Sequence, residues 1–135
     1  MRYMLDTNIC IYAINHRPQY IADELRSHNL DDFCISSITY AELIHGIEKS
    51  EYVEKNKFLL ALFLSNIKVL DYDVKAADEY GKIRTTLERQ GTPIGQLDLL
   101  IASHAIANNC ILITNNEKEF KRVNGLKTEN WIKPN

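Results

Sequence analysis

Short apolar runs alternate along the chain with longer stretches in which apolar residues recur every three or four positions. Tyr3–Leu5, Phe33–Ser36, Lys68–Leu70 and residues 111–114 and 128–131 read as β-strands. Between them, Ala22, Leu25 and Arg26 suit one helix, residues 38–49 a second, and residues 53–64 a third with a wide apolar face, Ser50 and Glu51 marking the turn. Val74, Ala77, Tyr80, Gly81, Ile83 and Leu87 keep a helical period until Gly91 and Pro93 end it, and residues 97–108 form the last long helix. Strands that alternate with helices pair in parallel. Pro18, Gly91, Pro93, Gly95 and Gly125 fall between elements, and there is no internal repeat or linker, so the pattern predicts one α/β domain over residues 1–135.

Composition narrows the class. With 135 residues, 45% hydrophobic and 25% charged, the chain has the proportions of a globular domain and not of a disordered segment. Its longest apolar run, residues 58–64, falls short of the roughly 20 residues that a membrane span needs. Asp6 interrupts any apolar leader, so the protein is expected to stay in the cytoplasm. The three cysteines, Cys10, Cys34 and Cys110, lack metal-ligand spacing, sit in apolar stretches and read as reduced core residues. A net charge of −2 argues against coating nucleic acid by bulk electrostatics, although neutralising four acids with cations would reverse the sign.

The acids carry the candidate chemistry. In a parallel sheet the carboxyl ends of the strands share one edge, where open α/β folds place their ligands. Asp6 ends the first strand, Glu42 lies early in the helix after the second, Asp98 starts the helix leading back into the strand at residues 111–114, and Thr114-Asn115-Asn116-Glu117-Lys118-Glu119-Phe120 follows that strand. Carboxylates held 4 Å apart repel by about 4 kcal/mol at an effective dielectric of about 20, so a cation is expected to offset them. Oxygen ligands without supporting Cys or His select Mg2+ or Mn2+, and the chemistry expected of such a site is phosphoryl or phosphodiester transfer with activated water. Each acid also has a local reading. Thr39-Tyr40-Ala41-Glu42 fits a capping box, Asp98 complements a helix dipole, and Asp6 is placed to cap the helix that begins near Asn8. Those readings leave unexplained why three acids from separated segments meet on one sheet edge.

These residues also carry a resemblance. Met4-Leu5-Asp6-Thr7-Asn8, Ser36-Ser37-Ile38-Thr39-Tyr40-Ala41-Glu42-Leu43, Pro93-Ile94-Gly95 through Asp98-Leu99-Leu100-Ile101-Ala102-Ser103-His104-Ala105, and Leu112-Ile113-Thr114-Asn115-Asn116 with Glu119-Phe120 are similar, in order and spacing, to the four motifs of PIN-domain ribonucleases. Within that family the chain resembles the VapC-type toxins of bacterial toxin-antitoxin pairs. The resemblance runs from residue 3 to Trp131. It implies a three-layer PIN-like fold whose mainly parallel sheet of four to five strands is flanked by helices. It also implies an Mg2+- or Mn2+-dependent endoribonuclease that hydrolyses RNA, with tRNA as the expected target, and so inhibits translation and growth. The expected partners are a second copy of the chain, through the apolar helices between residues 38 and 64, and a small cognate antitoxin that inserts a segment into the acidic pocket.

Carried over by position, Asp6, Glu42 and Asp98 are the implied catalytic metal ligands. Many PIN domains carry an acid where this chain has Asn116, whose amide can still offer a carbonyl to a metal or its water, and some VapC-type toxins with the same Thr-Asn-Asn pattern use an acid further on, which makes Glu119 the fourth candidate. Asp6 and Asp98 are expected to ligate directly, and Glu42 and Glu119 through water. Thr7, Asn8, Thr114, Asn115 and Asn116 are expected to orient those carboxylates. Attack by water leaves 5'-phosphate and 3'-hydroxyl ends, unlike metal-free ribonucleases, which use the RNA's 2'-hydroxyl.

Other polar residues carry less. Lys82, Arg84, Arg89, Lys118, Lys121 and Arg122 read as solvated faces before they read as an RNA track. Glu42-x-x-His45 lacks the second copy that a di-iron site needs, His104 reads as packing or surface, and His16 and His28 carry no signal. Tyr3, Tyr12 and Tyr40 read as core. A haloacid-dehalogenase-like phosphotransferase would need an acid where Asn8 stands. The rival from another class is a catalytically silent PIN-like module that binds RNA or protein.

Overall fold

A computed structural model describes residues 2–133. Its strands are β1 (Tyr3–Leu5), β2 (Phe33–Ser36), β3 (Lys68–Leu70), β4 (Ile111–Ile113) and β5 (Lys127–Glu129). They form one sheet in the order β3-β2-β1-β4-β5, with every neighbouring pair parallel. Seven helices flank it: α1 (Thr7–Asn15), α2 (Gln19–Arg26), α3 (Ser37–Glu48), α4 (Val53–Phe63), α5 (Val74–Gln90), α6 (Gln96–Ala107) and α7 (Glu117–Phe120).

The two-residue period of the strands divides the core between the two faces of the sheet. Leu5, Phe33, Ile35 and Ile113 pack with Ile9, Ile21, Leu43 and Leu60, so α1 to α4 cover one face. Met4, Cys34 and Leu112 pack with Leu87, Leu99, Ile101, Ala105 and Phe120, so α5, α6 and α7 cover the other. The result is the three-layer α/β architecture expected from the alternation of strands and helices. All three cysteines are free and buried, and Cys34 and Cys110 bring their Sγ atoms to 4.0 Å.

Local chemistry sets the boundaries. Ser36 ends β2 and caps α3, its Oγ accepting the Ile38 N–H at 3.0 Å. Gly91 closes α5 at φ +69°, a left-handed conformation natural to glycine. The strand expected at residues 128–131 is displaced to Lys127–Glu129, because its partner β4 is only three residues long and the Thr114 N–H spends the last ladder bond on the Glu129 carbonyl. Trp131, released from the ladder, stacks on His28 at 5.6 Å and meets Phe33 edge-on. His28, which carried no signal in the sequence, is therefore part of an aromatic cluster with Tyr3, Phe33 and Trp131.

Strand order reverses at β1. From β1 the chain steps outward to β2 and β3, then returns to the other side of β1 for β4 and β5. Such a reversal opens a crevice at the carboxyl ends of the two central strands.

Candidate active site

Asp6 leaves β1 at that crevice and caps α1, with Oδ1 accepting the Thr7 N–H at 2.7 Å. Oδ2 accepts the Thr114 hydroxyl at 2.7 Å from the end of β4. Both oxygens are thus held, and each retains a lone pair for a further partner. Asp6 is 7% exposed, and burial pushes its carboxyl above the ordinary range while the Thr114 and Thr7 hydrogen bonds oppose that rise.

Glu42 accepts the Thr7 hydroxyl at 2.7 Å, which joins α1 to α3. The capping-box reading of Thr39 and Glu42 is overturned: Ser36 is the cap, so Glu42 lies beyond the first turn and points to Thr7. Thr39 is instead fully buried, its hydroxyl 3.5 Å from that of Thr7. Asp98 stands in the first turn of α6, where the dipole favours an acid, and its Oδ2 accepts the Asn116 amide N–H at 3.1 Å.

Asp6, Thr7, Asn8, Glu42, Asp98, Asn115 and Asn116 line a cleft of about 350 Å³. No Lys, Arg or His is among them, and none of the ion pairs among the described residues includes Asp6, Glu42, Asp98 or Glu119. Repulsion is therefore uncompensated. The Asp98 carboxyl is pushed up to about 7, first by burial, then by the adjoining Glu119 carboxyl and by the charges of Asp6 and Glu42. Glu119, on α7, reaches the site from beside Asp98 and not from the lining of the cleft.

An all-oxygen donor set with excess negative charge fits a hard divalent cation. Among the described residues no three Asp, Glu, His or Cys side chains stand close enough together to hold a metal ion by themselves. The carboxylates stand apart, held by the hydroxyls of Thr7 and Thr114 and the amide of Asn116, which suits an ion that keeps several of its waters.

A family model described as PIN domain matches residues 3–126. The chain belongs to the PIN-domain family. Within it, this PIN domain is 52% identical over 135 residues to Ribonuclease VapC2 of Rickettsia felis, covering 98% of this chain and 100% of that one. It is 47% identical over 131 residues to the tRNA(fMet)-specific endonuclease VapC of Shigella flexneri, covering 97% and 98%. Among solved structures, the PIN domain is similar to a chain of VapBC2 from Rickettsia felis bound to a DNA fragment from its promoter, with a TM-score of 0.90, 48% identity and coverage of 98% and 100%. It is similar also to a chain of DNA-bound VapBC from Salmonella typhimurium, with a TM-score of 0.91, 44% identity and coverage of 98% and 99%. The sequence resemblance to VapC-type PIN domains is thereby shown.

Outside the cleft, Lys82 pairs with Glu79 at 3.7 Å and Arg84 with Glu88 at 3.3 Å, while Arg122 donates to the Pro93 carbonyl, as solvated faces do. His45 is exposed. His104 is 1% exposed and bonded to Ser36, a partnership the sequence did not disclose because Ser36 lies 68 residues away.

Proposed function

We propose that this VapC-type PIN domain, comprising residues 1–135, is the toxin of a toxin-antitoxin pair and a divalent-metal-dependent endoribonuclease acting in the cytoplasm. The observation that carries the reading is the convergence of Asp6, Glu42 and Asp98, with Glu119 alongside, at one sheet edge with no cationic side chain to balance them. Mg2+ or Mn2+ is the cation this oxygen donor set favours. No helix of the described residues is long and apolar enough to cross a membrane.

Asp6 and Asp98 would hold the cation, and Glu42 and Glu119 would help to hold it through its waters. When bound, the cation supplies a Lewis acid that makes water a nucleophile near neutral pH and offsets charge on the scissile phosphate. Thr114 and Thr7 fix the two oxygens of Asp6. The Thr7 hydroxyl turns Glu42 toward the cleft, and the Asn116 amide restrains Asp98. Asn8 and Asn115 offer amides to phosphate oxygens from the same cleft. Because water and not the 2'-hydroxyl attacks, the products carry 5'-phosphate and 3'-hydroxyl ends.

The names of the Shigella relative and of the VapBC structures point to a tRNA substrate and a cognate antitoxin. An apolar groove lined by Ile11, Ile14, Leu43, Ile47 and Leu59 runs up to Glu42, which supports an antitoxin segment lying there with its end in the acidic cleft. Phe58 and Leu62 of α4, 63% and 55% exposed, support burial against a second copy of the chain.

Cleavage of total bacterial RNA by the purified chain, with and without Mn2+, beside Asp98→Asn, tests the reading. Discrete fragments with 5'-phosphates that vanish in EDTA and in the variant are expected. Cleavage without metal, or by the variant, overturns the mechanism, and no cleavage by antitoxin-free protein favours the silent binding module.

A further inference from the structure

One buried polar group lies outside the acid cleft and is not used by the chemistry above. His104 sits on α6 among Leu99, Ile101, Ala102 and Ala105, in a helix otherwise built for the core. Its Nδ1 lies 2.7 Å from Ser36 Oγ, the same oxygen that accepts the Ile38 N–H and caps α3. With the ring proton on Nε2, the serine hydroxyl donates to Nδ1 while its oxygen keeps the Ile38 bond, so its one proton and one of its two lone pairs are used. Nε2 then has no well-formed hydrogen bond, although the Asp71 backbone carbonyl lies near enough to the ring to favour its protonated form. Burying such a group costs about 1 to 3 kcal/mol, a cost that a leucine of similar volume would avoid.

A second link runs beside the first. Ser37 Oγ accepts the Tyr72 N–H at 3.0 Å, and the Tyr72 hydroxyl lies 2.9 Å from Ser103 Oγ. The Tyr72 ring also meets the His104 ring edge-on at 5.3 Å. Two consecutive residues at the start of α3, Ser36 and Ser37, are thus braced against two consecutive residues of α6, Ser103 and His104. Helix α3 carries Glu42 and helix α6 carries Asp98.

We propose that His104, acting through Ser36 and supported by Tyr72, is a positioning residue that sets α3 against α6 and thereby fixes Glu42 relative to Asp98 at the metal-binding edge. The inference rests on the assignment of those acids to a cation site. It separates His104 from ordinary core residues, whose loss lowers stability without changing what the folded protein binds.

Calorimetric titration of the full chain with Mn2+ alone is the test, run on the parent, His104→Leu, His104→Asn and Tyr72→Phe. His104→Leu is expected to bind Mn2+ roughly 10-fold more weakly, the lower end of the effect of removing a group that orients metal ligands, with kcat for RNA reduced and KM little changed. His104→Asn, which returns an amide oxygen to the Ser36 hydroxyl, is expected to restore most of the affinity. Tyr72→Phe removes the phenol alone and is expected to weaken binding to a smaller degree, a result that stands even where His104→Leu does not fold. Parental Mn2+ affinity in folded His104→Leu, or in Tyr72→Phe where His104→Leu does not fold, overturns the positioning role, and so does an Asn variant as weak as the Leu one. A parent chain that binds no Mn2+ overturns the metal assignment and this inference together, whereas binding unchanged by every variant overturns the inference alone.

Discussion

The Thr114 hydroxyl donates to Asp6 Oδ2 at 2.7 Å, joining residues 108 apart in sequence at the two strands where the sheet order reverses. Asp6 is buried, and the bond compensates part of what burial takes from its charged form. Thr114→Val keeps shape and removes the donor. A hydrogen bond to a charged group contributes about 1.5 to 3 kcal/mol, so the melting temperature is expected to fall by several degrees, with Thr114→Ser close to the parent. Thermal denaturation checks it, and an unchanged Thr114→Val would show that Asp6 does not depend on this hydroxyl.

Thr7 gives a contrasting case. Its hydroxyl holds Glu42 at the margin of an open cleft, where water replaces a lost bond more readily. Thr7→Val is therefore expected to lower RNA cleavage by roughly 10- to 100-fold with less than about 1 kcal/mol lost from stability. Full activity in Thr7→Val would remove Thr7 from the site.

Asp98→Asn is expected to abolish cleavage and yet stabilise the metal-free protein. Burial and the neighbouring acids hold the Asp98 carboxyl up at about 7, so its destabilising effect builds as pH rises from the ordinary 3.8 towards 7 and is complete above that. A neutral isostere relieves the repulsion, by roughly 1 kcal/mol at pH 8 given that the cleft is open to water. Mg2+ should raise the melting temperature of the parent and not of the variant. Chemical denaturation in EDTA measures the first effect, and an Asn variant less stable than the parent would contradict it.

His104 makes stability fall in acid. Burial holds its ring below the ordinary value of 6.5, against the opposing influence of Asp73 and Asp71. A base with a lowered folded pKa contributes fully above its unfolded value, and its contribution drains away as pH falls below about 6.5 toward the folded pKa. His104→Asn carries no titrating ring, so between pH 7 and pH 5 it should lose less stability than the parent. Parallel denaturation midpoints across that range would refute the assignment.

Cys10, Cys34 and Cys110 are all buried, and burial pushes the Cys10 thiol well above its ordinary range. None of the three is expected to react with an aromatic disulfide reagent in the native protein, and all three should react in denaturant. Fast native labelling of any one would place that cysteine at the surface.

Much of this site was legible because strand ends are legible. Asp6 follows the apolar run of β1, and Asp98 follows Gly95 at the start of α6, so the parallel-sheet rule places both on one edge before any coordinates are known. Glu42 was placed on the right edge, but its local reading failed. Ser36 and Thr39 both have cap-forming side chains, and only packing selects Ser36 at the strand end. The meeting of His104 with Ser36, and of His28 with Tyr3 and Trp131, was not legible. Both histidines meet side chains from distant segments, and no period along a helix encodes such a meeting. The short helix α7 was also missed, since four residues are too few to establish a helical repeat.

The strand order also bears on how the protein is synthesised. β1 precedes the other four strands in the chain, yet it is the centre of the sheet and pairs on one side with β4, the fourth strand in chain order. Until residues 111–114 have been made, Asp6 lacks the Thr114 hydroxyl and the crevice has only one wall. A nascent or prematurely terminated chain therefore carries Asp6, Glu42 and even Asp98 without an assembled site. The acid cleft is therefore a product of the β1–β4 pairing, and its assembly waits on the strand that comes fourth in the chain.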